Sequence, residues 1–314
     1  MPLNIPDNLP AVKILEGENI FIMENKRALH QDIRPLRIAI CNLMPLKIVT
    51  ETDLIRILSN SPLQINLEFF HMEKHQSKNT TQDHLDIFYK TFEEIENDKF
   101  DGLIITGAPV ELLEFEDVDY WNDLKKVFDW SKTNVTNTLH ICWGAQAALY
   151  HHYGIQKYQR TKKLSGVYSH SATEPKSPLF RGIDDVFWVP HSRYTETRAS
   201  DILGHPDLKL AAVSSEAGVH VIVSEKNRQV FVTGHFEYNV DTLDNEYQRD
   251  ILKGLSIDPP EHYYPDDNPS KIPKSFWRAS GYLFYQNWLN YCVYQETPFD
   301  WPTCGTAPLA RSRS

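Results

Sequence analysis

Thr138-Leu-His-Ile-Cys142 runs without a linker into Trp143-Gly-Ala-Gln-Ala-Ala148, and this join is central to the fold prediction. The first part is typical of a buried strand, and the second begins a helix that we expect Gly154 to end. The same order precedes it, with strands predicted at 37–43, 65–72 and 100–106 and helices at 50–59, 83–95 and 118–131. Because strands that alternate with helices pair in parallel, we predict an α/β fold, with a mostly parallel twisted sheet and helices on both faces.

The second half of the chain has a different pattern. Short β-branched runs predict further strands joined by tight turns, at 186–189, 208–213, 219–223 and 229–233. Three more elements are expected: a helix at 242–255, a rigid proline-rich loop at 259–273 and an aromatic helix at 276–295. The aromatic helix could cover either the core or a partner. We expect a single domain over 1–301 and a flexible tail at 302–314.

Composition and charge exclude several classes of protein. The 314 residues include 32 Lys and Arg against 42 Asp and Glu, a net charge of −10, whereas a nucleic-acid binder needs a basic footprint. No run approaches the roughly 18 apolar residues of a membrane helix, and the N-terminus lacks the basic start and apolar stretch of a secretory signal. Four cysteines are too few and too scattered for a disulfide scaffold or a Cys-x-x-Cys zinc site: Cys41, Cys142, Cys292 and Cys304. We therefore expect a reduced, cytoplasmic protein.

Cys142 stands at the join between the predicted strand and helix. A sharp strand-to-helix turn projects its side chain above the carboxyl edge of the sheet, where the N–H groups and dipole of the helix favour an anion. A cysteine in this position can act as a nucleophile, and the nearby N–H groups can hold an oxyanion. A buried structural cysteine is the alternative that position alone leaves open.

Gly234-His-Phe-Glu237 follows a predicted strand and can supply partners for that thiol. Residues at i and i+2 of an extended chain point to the same side, so His235 and Glu237 can face one site as a base and its orienting carboxylate. A cysteine with such a pair is the general arrangement of an activated nucleophile. The three residues together therefore indicate an enzyme.

Specific motifs occur throughout residues 1–301: Asn42-Leu-Met-Pro45, Leu58-Ser-Asn-Ser-Pro-Leu63, Phe100-Asp-Gly-Leu-Ile-Ile-Thr-Gly-Ala-Pro109, Cys142-Trp143, Lys163-Leu-Ser-Gly-Val-Tyr168, Pro190-His-Ser-Arg-Tyr194, Gly234-His-Phe-Glu-Tyr238 and Asn287-Trp-Leu-Asn-Tyr291. In these motifs the sequence resembles the homoserine O-acyltransferases of methionine biosynthesis. The resemblance implies a class I glutamine-amidotransferase-like (flavodoxin-like) fold with added N- and C-terminal elements. It also implies that the chain transfers an acyl group to homoserine.

The resemblance assigns roles to residues at matching positions. Cys142 would carry the acyl group, His235 would be the base and Glu237 would orient that base. One departure is Phe236, where many members of the family have Pro between the His and the acid. This change should alter local stiffness and leave the three side chains intact.

The same resemblance implies three contacts to homoserine, at Lys163, Ser192 and Arg249. Homoserine is a zwitterion, and the guanidinium of Arg249 has the right shape to clamp its carboxylate. Taken from the sequence alone, each of the three could equally be an ordinary surface or turn residue.

The resemblance implies an acyl-CoA donor, which is itself a thioester, and we expect no further cofactor and no metal. Attack by the Cys142 thiolate would exchange one thioester for another, and His235 would then take the proton of the homoserine hydroxyl. The backbone N–H of Trp143, with a second from the Gly107-Ala108 loop that we assign to Ala108, could hold the oxyanions. The resemblance further implies a homodimer.

Glu111 bears on the choice between acetyl and succinyl donors. In relatives that use succinyl groups the matching position is typically Gly, whereas this chain has a carboxylate there. A succinyl group ends in its own carboxylate, and two like charges about 4 Å apart repel by up to about 4 kcal/mol at an effective dielectric near 20. Acetyl is therefore the expected acyl group, unless Glu111 points to solvent beside Glu114 and Glu116.

Other functions remain as alternatives. A glutamine amidase or a cysteine peptidase would use the same three residue types, and a non-catalytic ligand-binding protein could share the fold. Metal catalysis has little support in the sequence, because His151 and His152 are adjacent on a predicted helix and should not share one face.

Overall fold

The computed structural model describes residues 3–5, 9–10, 13–14, 22–24, 34–72 and 81–297. The predicted tail at 302–314 and Cys304 lie outside the described residues. Within the described ranges, none of the helices combines the length and the apolar character needed to span a bilayer.

Twelve strands of the described residues form one sheet: β1 (Leu3–Ile5), β2 (Ile22–Glu24), β3 (Leu36–Cys41), β4 (Ile65–His71), β5 (Tyr89–Thr91), β6 (Phe100–Ile105), β7 (Val135–Ile141), β8 (Tyr158–Ala172), β9 (Phe187–Glu196), β10 (Lys209–Ser214), β11 (Gly218–Ser224) and β12 (Gln229–Val232). Their order is β2-β1-β4-β3-β6-β7-β12-β11-β10-β8-β9, and β5 pairs with β4. Along this order, neighbouring strands are parallel from the edge at β2 as far as β12, and they are antiparallel from β12 to the other edge at β9.

Eight α-helices connect or flank the strands in the described part of the chain: α1 (Lys47–Leu58), α2 (Gln82–Phe88), α3 (Phe92–Ile95), α4 (Trp121–Asn134), α5 (Trp143–Tyr153), α6 (Ala199–Leu203), α7 (Thr242–Leu252) and α8 (Arg278–Asn287). A π-helix, Trp288–Tyr294, continues α8. The predicted α/β class with a mostly parallel sheet and flanking helices is confirmed.

The central strands are apolar on both sides because helices cover both faces of the sheet. Successive side chains of a strand point to opposite faces. Ile38 and Ile40 of β3 therefore pack in one hydrophobic core, and Ala39 and Cys41 pack in another. Every residue of β6 and β7 is buried. The carboxyl ends of these strands thus lie on a rigid support.

The aromatic C-terminal segment covers the first of these cores. Phe284, Tyr285 and Trp288 are buried in it, and the indole Nε1–H of Trp288 donates to the Asn137 side chain on β7 at 2.8 Å. The sequence left open whether the aromatic helix covers the core or a partner. In the structure it packs on the core of its own chain.

Two parts of the fold differ from the predicted elements. The single helix expected at 83–95 is interrupted by β5, because Tyr89 pairs with β4 and its buried hydroxyl donates to Glu51 at 2.6 Å. A new helix, α3, then begins with a capping box between Thr91 and Glu94. The long strand β8 was not predicted, and β9 is longer than the expected 186–189. The two form an antiparallel pair whose polar residues lie partly in solvent, so the apolar pattern is weak.

Candidate active site

Cys142 lies between β7 and α5 with φ 50° and ψ −117°, a left-handed conformation that costs energy for a residue with a side chain. Hydrogen bonds hold this backbone on both sides. Its N–H donates to the Val232 carbonyl at 2.7 Å, and its carbonyl accepts from the amides of Ala145 and Gln146 at 3.0 and 3.1 Å. The thiol is partly exposed at the carboxyl end of the sheet. The predicted sharp turn is therefore present, and the cysteine is not a buried structural residue.

Two glycines allow the turn to pack closely. A Cβ on Gly144 would lie 2.5 Å from the Thr106 carbonyl oxygen, and one on Gly107 would lie 3.3 Å from Cys142 Cβ and 3.8 Å from the Trp143 nitrogen. The loop after β6 is thus packed against the thiol and the start of α5. The geometry brings the predicted oxyanion donors Trp143 and Ala108 into the same region, and their role stays a prediction.

His235 and Glu237 meet as expected, although by a different backbone route. The segment turns instead of running extended, and the His235 amide donates to the Pro190 carbonyl of β9 at 2.8 Å. The His235 Nδ1 lies 2.6 Å from Glu237 Oε1, and both side chains are buried. Nε2 is the ring nitrogen that remains for Cys142. Burial lowers the pKa of His235, but attraction to the charges of Glu237 and Cys142 and hydrogen bonds to both outweigh it, so the pKa lies well above its ordinary value.

Tyr238 links this group to a second cluster of polar residues. Its ring stacks on the His235 imidazole, with centroids 4.1 Å apart and planes 14° from parallel. Its hydroxyl donates to Glu246 Oε1 on α7 at 3.1 Å. Burial and the nearby negative charges of Glu246, Cys142 and Glu237 raise the pKa of Tyr238 well above its ordinary value, so the hydroxyl keeps its proton.

The three predicted homoserine contacts are brought together around acidic residues of α7. Lys163 Nζ lies 3.5 Å from Glu246 and 3.1 Å from Asp250, and the Ser192 hydroxyl donates to Glu246. Arg249 is about half exposed, and its Nε and Nη2 each lie 2.8 Å from Asp250. The cluster therefore presents both signs of charge, with two cations and two carboxylates.

Glu111 faces the protein and not the solvent. Its Oε2 accepts from the backbone amide of Tyr194 at 3.0 Å, on the same strand as Ser192. Lys157 donates to the Glu111 carbonyl at 2.7 Å and also to the Leu113 carbonyl, which fixes the loop. Burial raises the pKa of Glu111, while the Tyr194 amide and the charges of Arg193 and Lys163 oppose that rise.

Arg193 and Glu246 are polar residues of this region to which sequence reasoning gave no role. Arg193 is buried; its guanidinium donates to the carbonyls of Thr195 and Ala217 at 2.7 and 2.6 Å. Burial lowers its pKa to about 10, and the charge of Cys142 acts in the opposite direction. Arg193 is therefore a buried positive charge whose field reaches Cys142. Arg193 lies in the Pro190–Tyr194 motif. The predicted strand ends at residue 189, so the sequence did not indicate that the Arg193 side chain would point into the protein.

The chain matches, over residues 2–299, the model of a family described as homoserine O-succinyltransferase. The homoserine O-acetyltransferase of Acetivibrio thermocellus is 57% identical over 300 residues, which cover 96% of this chain and 98% of that protein. The enzyme of the same name from Clostridium acetobutylicum is also 57% identical, over 96% of this chain and all of that protein. This chain belongs to the homoserine O-succinyltransferase family. The resemblance inferred from the sequence motifs is confirmed.

Solved structures outside the family share its fold. A glutamine amidotransferase of Thermotoga maritima superposes with a TM-score of 0.56 at 12% identity, covering 83% of this chain and 100% of that one. A glutamine amidotransferase of Methylobacillus flagellatus gives a TM-score of 0.51 at 11% identity, over 86% and 99% of the two chains. The class I glutamine-amidotransferase-like fold expected for the family is thus confirmed.

Among the residues that the structure describes, two groups of side chains have ligand atoms close enough to hold a metal ion. The ring nitrogens of His170, His191 and His220 lie within 4.8 Å of one another in the core. His170 Nε2 is 3.1 Å from His191 Nε2, and its Nδ1 lies 2.9 Å from the Tyr168 carbonyl. Burial lowers the pKa of His170 to about 4 and those of the other two well below the ordinary value, so all three are neutral.

The second group is Asp129, His151 and His152, nearer the surface. Its ligand atoms also lie within 4.8 Å of one another, so the expectation that the two adjacent histidines would diverge was wrong. Their long side chains converge on Asp129 of α4, which packs against α5. Within the described residues, neither group is hydrogen-bonded to Cys142. That the enzyme needs no metal ion stays a prediction.

Proposed function

We propose that the protein transfers an acetyl group from acetyl-CoA to the hydroxyl of L-homoserine through a thioester on Cys142. The observation that carries this proposal is the strained turn of Cys142 beside the His235–Glu237 pair. Tyr238 stacks on His235 and connects this pair to the cluster of mixed charge. Membership of the family and the names of its relatives support the choice of homoserine as acceptor.

The first half-reaction exchanges one thioester for another. The Cys142 thiolate, its proton held by His235, attacks the carbonyl carbon of acetyl-CoA and forms a tetrahedral intermediate. The carbon–sulfur bond to CoA then breaks, and the CoA sulfur leaves with the proton from His235. The bond broken and the bond formed are of the same kind, so the step needs no other energy source.

The second half-reaction moves the acetyl group to oxygen. His235 Nε2 takes the proton of the homoserine hydroxyl as its oxygen attacks the thioester carbon. The carbon–sulfur bond to Cys142 breaks and the thiolate is regenerated, paired with protonated His235. Glu237, 2.6 Å from Nδ1, holds the ring in this orientation and stabilises its charge in both halves.

The surroundings suit a negative charge that develops on the carbonyl oxygen. Cys142 stands at the N-terminus of α5, where the N–H groups and the dipole of the helix favour a negative charge. The loop at Gly107 lies against Cys142 Cβ and the Trp143 nitrogen. We assign the oxyanion contacts to the amides of Trp143 and Ala108. Arg193 adds a buried positive charge that interacts favourably with a negative charge at Cys142.

Glu111 makes acetyl the preferred group. Its carboxylate accepts from the Tyr194 amide, next to the predicted substrate contact Ser192, and so occupies the donor that a second carboxylate would need there. A succinyl donor, which the description of the family model suggests, is the second candidate. The two donors differ only in the tail that would meet Glu111.

Steady-state kinetics with product analysis test the proposal. We expect O-acetyl-L-homoserine and CoA as products, and parallel double-reciprocal lines when both substrates are varied, because CoA leaves before homoserine reacts. A His235→Asn variant should lose about 10²- to 10⁴-fold in kcat, the usual contribution of a general base. Hydrolysis of L-glutamine without acetyl transfer, or near-normal activity of His235→Asn, would refute the mechanism.

The remaining assignments are also proposals. We propose that residues 1–301 fold as one domain with 302–314 as a tail, and that the enzyme is a cytoplasmic homodimer. Sedimentation of the purified protein should give twice the chain mass of 36.4 kDa. A monomer at micromolar concentration would contradict the dimer without affecting the chemistry.

A further inference from the structure

Thr106 is a buried residue in the loop that follows β6, and it is bonded to three other parts of the chain. Its amide donates to the Cys41 carbonyl at the end of β3 at 3.1 Å. Its hydroxyl oxygen accepts from the Leu43 amide at 2.8 Å, and the hydroxyl donates to the Gly107 carbonyl at 3.0 Å. A hydroxyl has only one hydrogen to donate, so that of Thr106 is committed to the Gly107 carbonyl.

This hydrogen bond determines which way the next peptide group faces. The peptide bond between Gly107 and Ala108 is trans. A trans peptide is planar, and its C=O and N–H groups point in opposite directions. Because the Thr106 hydroxyl holds the Gly107 carbonyl on one side, the Ala108 N–H points to the other side.

Gly107 cannot hold this orientation by itself. A Cβ at this position would lie 3.3 Å from Cys142 Cβ, so a glycine allows the close approach of the loop to the thiol. Glycine also has the widest freedom of φ and ψ, and the peptide group that follows it could rotate. The Thr106 hydroxyl therefore supplies a restraint that the backbone of Gly107 lacks.

The Ala108 amide is available to a substrate atom. Ala108 is buried, and within the described ranges neither its N–H nor that of Trp143 donates to another group of the protein. A cavity of about 30 Å³ is lined by Thr106, Gly107 and His235, among others. Buried backbone N–H groups are almost always paired, so the two amides suit an oxygen atom that arrives with the substrate.

We propose that Thr106 is a positioning residue for catalysis, whose hydroxyl fixes the Gly107–Ala108 peptide so that the Ala108 amide faces the carbonyl oxygen of the acyl group on Cys142. This inference rests on the proposed function and extends it to a residue that acts through its neighbour. An oxyanion forms at the same carbonyl in both half-reactions, so Thr106 contributes to both.

The test compares Thr106→Val, which keeps the shape and removes the hydroxyl, with Thr106→Ser, which keeps the hydroxyl. Each acetyl-enzyme is formed without homoserine from acetyl-CoA labelled with ¹³C at the acetyl carbonyl, and infrared difference spectra give the frequency of its C=O stretch. Amide donors polarise the carbonyl and lower this frequency. We expect the wild-type band to lie below that of the unfolded acetyl-enzyme. Thr106→Val should shift the band back toward the unfolded position, and Thr106→Ser should keep the wild-type position.

Steady-state kinetics gives a second readout. Thr106→Val should lower kcat/KM for acetyl-CoA and for homoserine by similar factors, up to about the 10²- to 10³-fold that loss of one oxyanion donor costs. Thr106→Ser should recover most of this loss. Thr52→Val is the matched control, because it removes a buried hydroxyl that donates to the Ile48 carbonyl of α1 at 2.7 Å, and it should change neither the kinetics nor the band.

Three outcomes would overturn the proposal. One is a wild-type band at the unfolded position, a result that does not depend on any variant folding. Another is an unshifted band in folded Thr106→Val, which a merely structural role predicts. The third is a loss of kcat/KM for only one of the two substrates.

Failure of the proposed function would be seen separately, as a wild type in which acetyl-CoA never acylates Cys142. The crystal structure of Thr106→Val then tests the inference alone. The Gly107 carbonyl should have turned away from its wild-type direction, and an unchanged peptide would overturn the proposal.

Discussion

Replacing Glu111 by Gly should convert the donor preference from acetyl toward succinyl. In the wild type the Glu111 carboxylate accepts from the Tyr194 amide at 3.0 Å, and its loop is fixed by Lys157. A succinyl tail would bring a second carboxylate to this position. Glu111→Gly removes the charge and also frees the Tyr194 amide, which the succinyl carboxylate can then use in its place.

The magnitude follows from two separate contributions. Two carboxylates about 4 Å apart repel by about 4 kcal/mol at an effective dielectric near 20, and the charges of Arg193 and Lys163 reduce this to about 2 kcal/mol, or roughly 30-fold. A hydrogen bond from the freed amide to a charged group adds about 10-fold or more. Glu111→Gly should therefore change the ratio of kcat/KM for succinyl-CoA and acetyl-CoA by at least about 300-fold.

Glu111→Gln separates the two contributions, because glutamine removes the charge but still fills the space beside Tyr194. We expect it to change the ratio by only about 30-fold. Glu114→Gln, an exposed carboxylate of the same loop, is the matched control and should have no effect. The assay measures kcat/KM for each donor at saturating homoserine. A ratio in Glu111→Gly within about threefold of the wild type would refute the electrostatic argument.

Three further predictions concern the support of the site. Gly144→Ala places a Cβ 2.5 Å from the Thr106 carbonyl oxygen, so urea unfolding should show a free energy of unfolding that is lower by about 1–3 kcal/mol. Turnover should fall as well, and an unchanged free energy of unfolding would contradict the close packing. Burial lowers the pKa of His140 to about 3, so the stability from its neutral form is present above about pH 6.5 and is lost as the pH falls toward 3. His140→Phe should thus reduce the pH slope of unfolding free energy in that window by about 1.4 kcal/mol per unit, and an unchanged slope would disprove it. Glu237→Gln should lower kcat/KM by about 10²-fold or more without unfolding the protein, and a smaller effect would remove Glu237 from the mechanism.

The sequence was most informative where the pattern is local. The join at Cys142 requires only a buried strand followed at once by a helix, and both signals lie within eleven residues. The parallel half of the sheet followed from the alternation of strands and helices. The pairing of His235 with Glu237 was also expected from their spacing, although the chain turns there instead of running extended.

Elements that depend on distant partners could not be predicted in this way. β5 interrupts a helical pattern because Tyr89 is bound by β4 and Glu51, which are far away in sequence. The polar first half of β8 is held by its pairing with β9. Glu246 has an ordinary position in a helical pattern, and its three donors come from β8, β9 and the Tyr238 loop.

Intact-protein mass spectrometry after mixing with acetyl-CoA, without homoserine, detects the proposed thioester itself. We expect one acetyl group on Cys142 and none on Cys142→Ala. This group should disappear when homoserine is added and O-acetyl-L-homoserine is formed. An enzyme that acetylates homoserine at full rate with no acetyl group ever bound to Cys142 would contradict this expectation.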